Sequence, residues 1–198
     1  GPALAIVLLG AFAGDLTSVL WVAVLPGFVA VLLLLKVPEP ADRAQRPARL
    51  PLSREGLMRL GGAFWVLVGV GGLIALARFS EAFLVLRAAG LGLPTMWVPL
   101  VMVAMAGVYA LAAYPAGFLS DRISRTSILG VGMLVLLLAD VALALAHGYG
   151  LLFAGAALWG LHLGLTQGIL ASLVTDTAPP AYRGTAFGVF NLLSGAAL

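Results

Sequence analysis

The 198-residue chain is 62% hydrophobic and only 10% charged, with a formal net charge of +3. A soluble domain carries about 25% charged residues, and a core of this size cannot hide so much apolar surface, so the composition is that of a membrane protein. Cysteine is absent and the two histidines stand far apart, which excludes disulfides, thiolate metal sites and thiol catalysis.

A spanning helix needs roughly 20 apolar residues. Residues 3–13 fall short of that and read as part of a span. Gly14-Asp15 is a turn, and residues 16–35 make a full span with Pro26-Gly27 near its middle. Residues 36–59 form the one long polar stretch, with Pro38, Pro40, Pro47 and Pro51 among six basic residues. Proline fixes φ and removes donors, so an extended loop is expected. Ser53 is placed to cap a short surface helix. The next span, 60–86, is interrupted by Arg78 and Glu81. Span 94–119 follows, with Pro99 and Pro115 as expected kinks. Spans 127–146, containing Asp140, and 151–174, containing His162 and Gln167, are joined by a tight turn at His147-Gly148-Tyr149-Gly150. A turn at 176–184 leads into a further apolar run from Thr185. The chain begins and ends inside apolar runs, and it reads as an internal fragment: five complete helices and two partial ones in an all-α transmembrane bundle.

Orientation follows from the loops. Alternate loops hold six Lys/Arg (36–59), two (Arg122 and Arg125 in 120–126) and one (Arg183 in 176–184), whereas the opposite loops hold only Arg87. Positive residues stay inside, so loops 36–59, 120–126 and 176–184 are expected to be cytoplasmic. This placement also accounts for the basic residues without nucleic acid as a partner.

The segment Gly117–Thr126, GFLSDRISRT, is a charged hairpin between two long apolar runs. It resembles the loop Gly-x-Leu-small-Asp-Arg/Lys-x-Gly-Arg-Arg/Lys of the major facilitator superfamily. Gly117, Leu119, Ser120, Asp121, Arg122 and Arg125 match, while Ser124 replaces the second glycine and Thr126 the last basic residue. Pro180-x-x-Arg183-Gly184-Thr185-Ala186-Phe187-Gly188 resembles the entry to the eleventh helix of bacterial multidrug and metabolite exporters in that family. The resemblance covers the whole chain. It implies a twelve-helix carrier in two six-helix halves, with this hairpin after the eighth helix. Residues 1–36 would then end the N-terminal half (end of helix 5, then helix 6). Residues 37–59 would be the central cytoplasmic loop, and 60–198 helices 7 to 10 and the start of 11.

The implied function is secondary active transport of a small molecule in a bacterial inner membrane. Proton-coupled efflux by alternating access is expected, with protons, the lipid bilayer and the remaining N-terminal half as partners, and without any cofactor. Gly117, Asp121, Arg122 and Arg125 would form a gating hairpin. Arg122 or Arg125 is positioned to pair with Asp176, and Asp121 to face a neighbouring helix's positive N-terminus.

Ionisable residues inside a span are costly and are functional candidates by default. Arg78 and Glu81, at i and i+3, would share one helix face. With His162 and Gln167 they are the candidates for coupling or substrate contact, the alternative for Arg78 and Glu81 being a neutralising structural pair. Asp140 is expected to bond to a neighbouring helix or to reach the membrane interface. Gly160, Gly164 and Gly168 make a small-residue stripe suited to close helix packing; Trp159, His162 and Thr166 either pack nearby or line a cavity. No phosphate-binding loop, nucleophile elbow or zinc motif occurs, so no enzyme is expected. Two other readings remain, an integral membrane enzyme subunit and a non-transporting receptor or scaffold built on the transporter fold.

Overall fold

The computed structural model describes residues 2–36 and 54–197, and every regular element in them is helical. Ser53 lies outside the described residues, so its capping role has no structural counterpart here. The chain falls into two compact units, Gly1–Leu50 and Pro51–Leu198.

In the first unit, α1 (Pro2–Ala11) and α2 (Leu16–Leu34) flank a turn in which Ala13 and Gly14 take positive φ. Asp15 caps α2. Its carboxylate accepts the N–H of Thr17 at 3.0 Å and the Oγ–H of Ser18 at 2.5 Å. These bonds favour the charged form and hold the Asp15 pKa below the usual carboxylate value.

The second unit contains α3 (Arg54–Met58), α4 (Gly62–Ala77), α5 (Ala82–Gly90), α6 (Pro99–Ser120), α7 (Arg125–Ala144), α8 (Tyr149–Thr177) and α9 (Arg183–Ala197), with a 3-10 turn at Pro180–Tyr182 before α9. Including α2, five segments are long and apolar enough to cross a membrane. α8, at 29 residues, is about 44 Å long at the α-helical rise, more than the roughly 30 Å hydrocarbon layer requires.

Two differences from the sequence expectations matter. Pro99 does not kink a helix; it occupies the first position of α6, where a missing N–H costs nothing. Residues 60–86 are not one continuous helix. The backbone turns extended at Arg78 (φ −92°, ψ 127°), and α5 starts afresh after Glu81.

That break separates two apolar clusters. At the hairpin end, α4 packs through Phe64, Leu67 and Ile74 with α7, α8 and α9 residues such as Ile128, Val174 and Val189. At the far end, α5 packs through Leu84 and Ala88 with Val101 and Met105 of α6, Leu136 of α7 and Trp159 of α8. α8 runs through both clusters and is the axis of the unit.

Candidate functional site

The seam between α6 and α8 is closed by backbone contact. A Cβ on Gly160 would overlap the carbonyl of Met105, and one on Gly164 would come within 2.7 Å of Ala112 Cβ and 3.2 Å of Tyr109 O. Gly168 departs from this pattern: nothing lies within 4 Å of where its Cβ would be, because the helices have diverged there. The packing stripe is therefore Gly160 and Gly164, and Gly168 borders open space.

The seam with α7 is equally close. Gly132 approaches Thr166, whose Cγ2 would be 2.6 Å from an added Cβ. This approach brings the Gly132 carbonyl to 2.8 Å from His162 Nδ1. A carbonyl only accepts, so Nδ1 carries the proton, and in the neutral ring Nε2 is left as an acceptor. His162 and Trp159 are 0% exposed, and His162 Nε2 and Trp159 Nε1 are buried without hydrogen-bond partners. Neither residue lines any of the three cavities described below; Trp159 lies against the ring of Phe79, with centroids 4.0 Å apart.

Further along α8, on the stripe that carries Gly160 and Gly164, the packing opens. A cavity of about 240 Å³ lies among α4, α8 and α9. α4 lines it with Gly71, Ile74, Ala75 and Arg78, and α9 with Phe187, Phe190, Asn191 and Ser194. Both sets fall at i, i+3, i+4, i+7, a single stripe of each helix. α8 adds Gln167, Leu170 and Ala171. Gly71 makes room for one wall, since a Cβ there would lie 2.5 Å from the Phe190 ring.

The structure thus brings Arg78 and Gln167 together and leaves Glu81 and His162 off this cavity. Asn191 and Ser194 were missed in the sequence because the cavity needs three helices to assemble. Their signal was faint: two polar residues three apart in an otherwise apolar run.

Arg78 and Glu81 do not share a helix face, as the sequence spacing suggested, because the helix ends between them. Arg78 is the C-cap of α4 and Glu81 precedes the first residue of α5. A cation at a helix C-terminus and an anion at an N-terminus each complement the helix dipole. Ser80 Oγ accepts the N–H of Ala82 at 3.4 Å and helps restart the chain. The Arg78 N–H closes α4 on Ile74 O and Ala75 O at 3.1 and 3.2 Å. Its side-chain Nε is buried without a hydrogen-bond partner.

At the hairpin, Asp121 follows the last residue of α6, and Ser124 caps α7 by accepting the N–H of Ser127 at 3.2 Å. The serine that replaces the motif glycine thereby gains a function of its own. Arg125 forms an ion pair with Asp176 in the last turn of α8. Arg122 lies over the Phe118 ring, 4.5 Å from its centroid. Asp121 donates its backbone N–H to Leu119 O, but its carboxylate has no hydrogen bond or ion pair among the described residues. With Gly117, Arg125 and Gly168 it borders a second cavity of about 330 Å³.

At the far end, Arg87 fastens the last turn of α7. It donates to Leu143 O at 3.1 Å, Ala144 O at 3.3 Å and Ala146 O at 2.6 Å, satisfying carbonyls that the helix leaves open. Asp140 finds no partner on a neighbouring helix: its Oδ1 is buried and unpaired, and the residue borders a third cavity of about 590 Å³ with Phe79, Phe83 and Arg87. Among the described residues no group of three metal-ligating side chains occurs.

Several helices long and apolar enough to cross a membrane, with a charged hairpin at one end, make up a polytopic membrane protein. The sequence pattern of the Major Facilitator Superfamily matches residues 1–198, and the chain belongs to that family of membrane transporters. An uncharacterized MFS-type transporter of Methanocaldococcus jannaschii is 24% identical over 184 residues, covering 90% of this chain and 46% of that protein. An uncharacterized protein of Mycobacterium tuberculosis (strain H37Rv) is 29% identical over 184 residues, covering 90% of this chain and 44% of its own length. The arabinose-proton symporter of Bacillus subtilis is 30% identical over 79 residues, covering 40% of this chain and 17% of the symporter. The chain spans a little under half the length of the first two. No solved structure matches it.

Proposed function

We propose that this chain forms part of a secondary active transporter that moves a small molecule across a bacterial inner membrane by alternating access, in the direction of efflux and coupled to protons. The observation that carries this reading is the cavity lined by Arg78, Gln167, Asn191 and Ser194, beside a span broken at Arg78. Discontinuous helices that offer polar groups to a cavity are how carriers build their binding sites within the bilayer. Residues 60–198 supply the C-terminal half, 37–59 the central loop, and 1–36 the end of an N-terminal half.

The positive-inside rule puts the hairpin, the central loop and the 176–184 turn in the cytoplasm. There the Arg125–Asp176 pair ties the hairpin to α8 as part of the gate, and Asp121 is left for a partner in the other half. Glu81 is the coupling carboxylate in this half. Proton coupling draws support from the partial similarity to a protein named as a proton symporter.

The test is flux. Proteoliposomes containing the full-length protein should drive labelled organic solutes against their gradient when a pH gradient is imposed. Glu81→Gln should flatten the pH dependence of that flux. Absence of any driven flux would sink the carrier reading in favour of a receptor or scaffold. Normal pH dependence in E81Q would remove Glu81 from the coupling role alone.

A further inference from the structure

We infer that the cavity between α4, α8 and α9 takes an organic oxyanion, an anionic head joined to an apolar body; this rests on the reading of that cavity as part of the transport path. Four observations converge. Among the described residues, Arg78 is the only charged one in the lining, and no carboxylate joins it there. Its Nε is buried and has no hydrogen-bond partner, and Glu81 acts on it only through space, outside the cavity lining. Gln167, Asn191 and Ser194 add neutral donors. Phe187, Phe190, Ile74 and Leu170 supply an apolar wall, and the volume of about 240 Å³ suits a ligand the size of an aromatic acid.

A guanidinium offers a planar fork that matches carboxylate or phosphate with two parallel hydrogen bonds. Half-buried, with its Nε–H unpaired, it gains a charged acceptor when an anion arrives. The same charge repels organic cations, and a neutral polyol would offer it no counter-charge. The backbone N–H of Arg78, bonded to the last turn of α4 at 3.1 and 3.2 Å, fixes where the side chain starts at the edge of the cavity.

The experiment uses purified full-length carrier in detergent and four probes of similar size: benzoate, phenyl phosphate, neutral benzamide and benzylammonium. Benzoate or phenyl phosphate should raise the thermal unfolding midpoint, and the stronger of the two names the head group. Benzamide and benzylammonium at equal concentration should do less. Arg78→Gln should weaken protection by the anion about tenfold or more, and Arg78→Lys should restore part of it. Asn191→Leu, at an exposed position away from the close helix seams, fills the cavity without touching the guanidinium. It should cut protection too, which keeps the test informative if the arginine variants do not fold.

Equal or better protection by benzylammonium or benzamide overturns the inference. So does anion protection that survives both R78Q and N191L, or no protection by either anion. Labelled benzoate flux in proteoliposomes separates this from the carrier reading. Anion binding without flux defeats the carrier and keeps the site; flux of a cationic or neutral probe without anion protection does the reverse.

Discussion

Successive stretches of α8 are built on opposite principles. At Gly160 and Gly164 the helix meets the backbone of α6 with no room for another atom, and at Thr166 it meets Gly132 of α7. Further along the same stripe, at i+7 and i+11 from Gly160, Gln167 and Ala171 border an open cavity toward α4 and α9. Both stretches come from one apolar sequence, so the difference does not lie in mean hydropathy. It lies in residue size in the first and hydrogen-bonding capacity in the second. Lipid tails are as apolar as leucine, so close packing of small residues is what holds spans together. Polar groups are then tolerated only where a cavity or ligand receives them.

The strongest way to break this contrast is a single methyl group. Gly160→Ala drives a Cβ into the Met105 carbonyl and should cost about 1–3 kcal/mol of overpacking. It should be read as a lower unfolding midpoint and less monodisperse protein in detergent. Gly168→Ala, two turns along the same helix and facing open space, should leave the midpoint unchanged. Equal effects at the two positions would mean that the closed seam is not where the structure puts it.

A smaller effect is expected where α8 meets the hairpin. Arg125 and Asp176 are 33% and 56% exposed, so solvent screens their attraction and the pair is worth about 0–1 kcal/mol of stability. Its consequence should appear in flux. Arg125→Asp and Asp176→Arg should each slow transport by the full-length carrier, and the double exchange should recover it. A double variant as slow as the singles would show that the charges act separately.

The smallest effect lies away from α8, at Asp15. Its pKa is lowered by Ser18 and Thr17, so the cap's contribution is fully present above the ordinary carboxylate value, about pH 4. That contribution is lost as pH falls through the depressed folded value. The protection of the Thr17 and Ser18 amides, taken relative to the intrinsic exchange rate at each pH, should fall over that acid range in the native protein, and Asp15→Asn should remove this pH dependence of protection.

Much of the fold was legible because a membrane imposes length. Apolar runs near 20 residues, punctuated by Gly14-Asp15, GFLSDRISRT and Pro179-Pro180, left little freedom in placing the spans. The partnership of Arg125 with Asp176 could be foreseen because each sits at a helix end on the same side. The polar residues Arg78, Ser80 and Glu81 marked the place of the break in the sequence, but not its nature. Two charges in an apolar run are compatible with one continuous helix, and the transfer of the chain from one packed cluster to another, which ends α4 there, is a tertiary event. Arg87 was equally opaque: it counts as a stray positive charge on the less basic side until the open carbonyls of α7, 56 to 59 residues away, are seen beneath it. Pro99 misled because a proline inside an apolar run reads as a kink until the helix is known to begin there.

The break has a mechanical consequence. A rod cut at one point carries no bending moment across the cut. The far segment of the severed span is bolted down, through Arg87 to the end of α7 and, just past its own end, through Gly92 O, which accepts from Tyr149 Oη at 3.1 Å. The near segment belongs with α9. On the proposed reading, the pivot and the grip on the cargo fall on the same residue. A molecule held by Arg78 stiffens the joint that has to flex, so loading and rocking are linked through one guanidinium without a relay across the bundle.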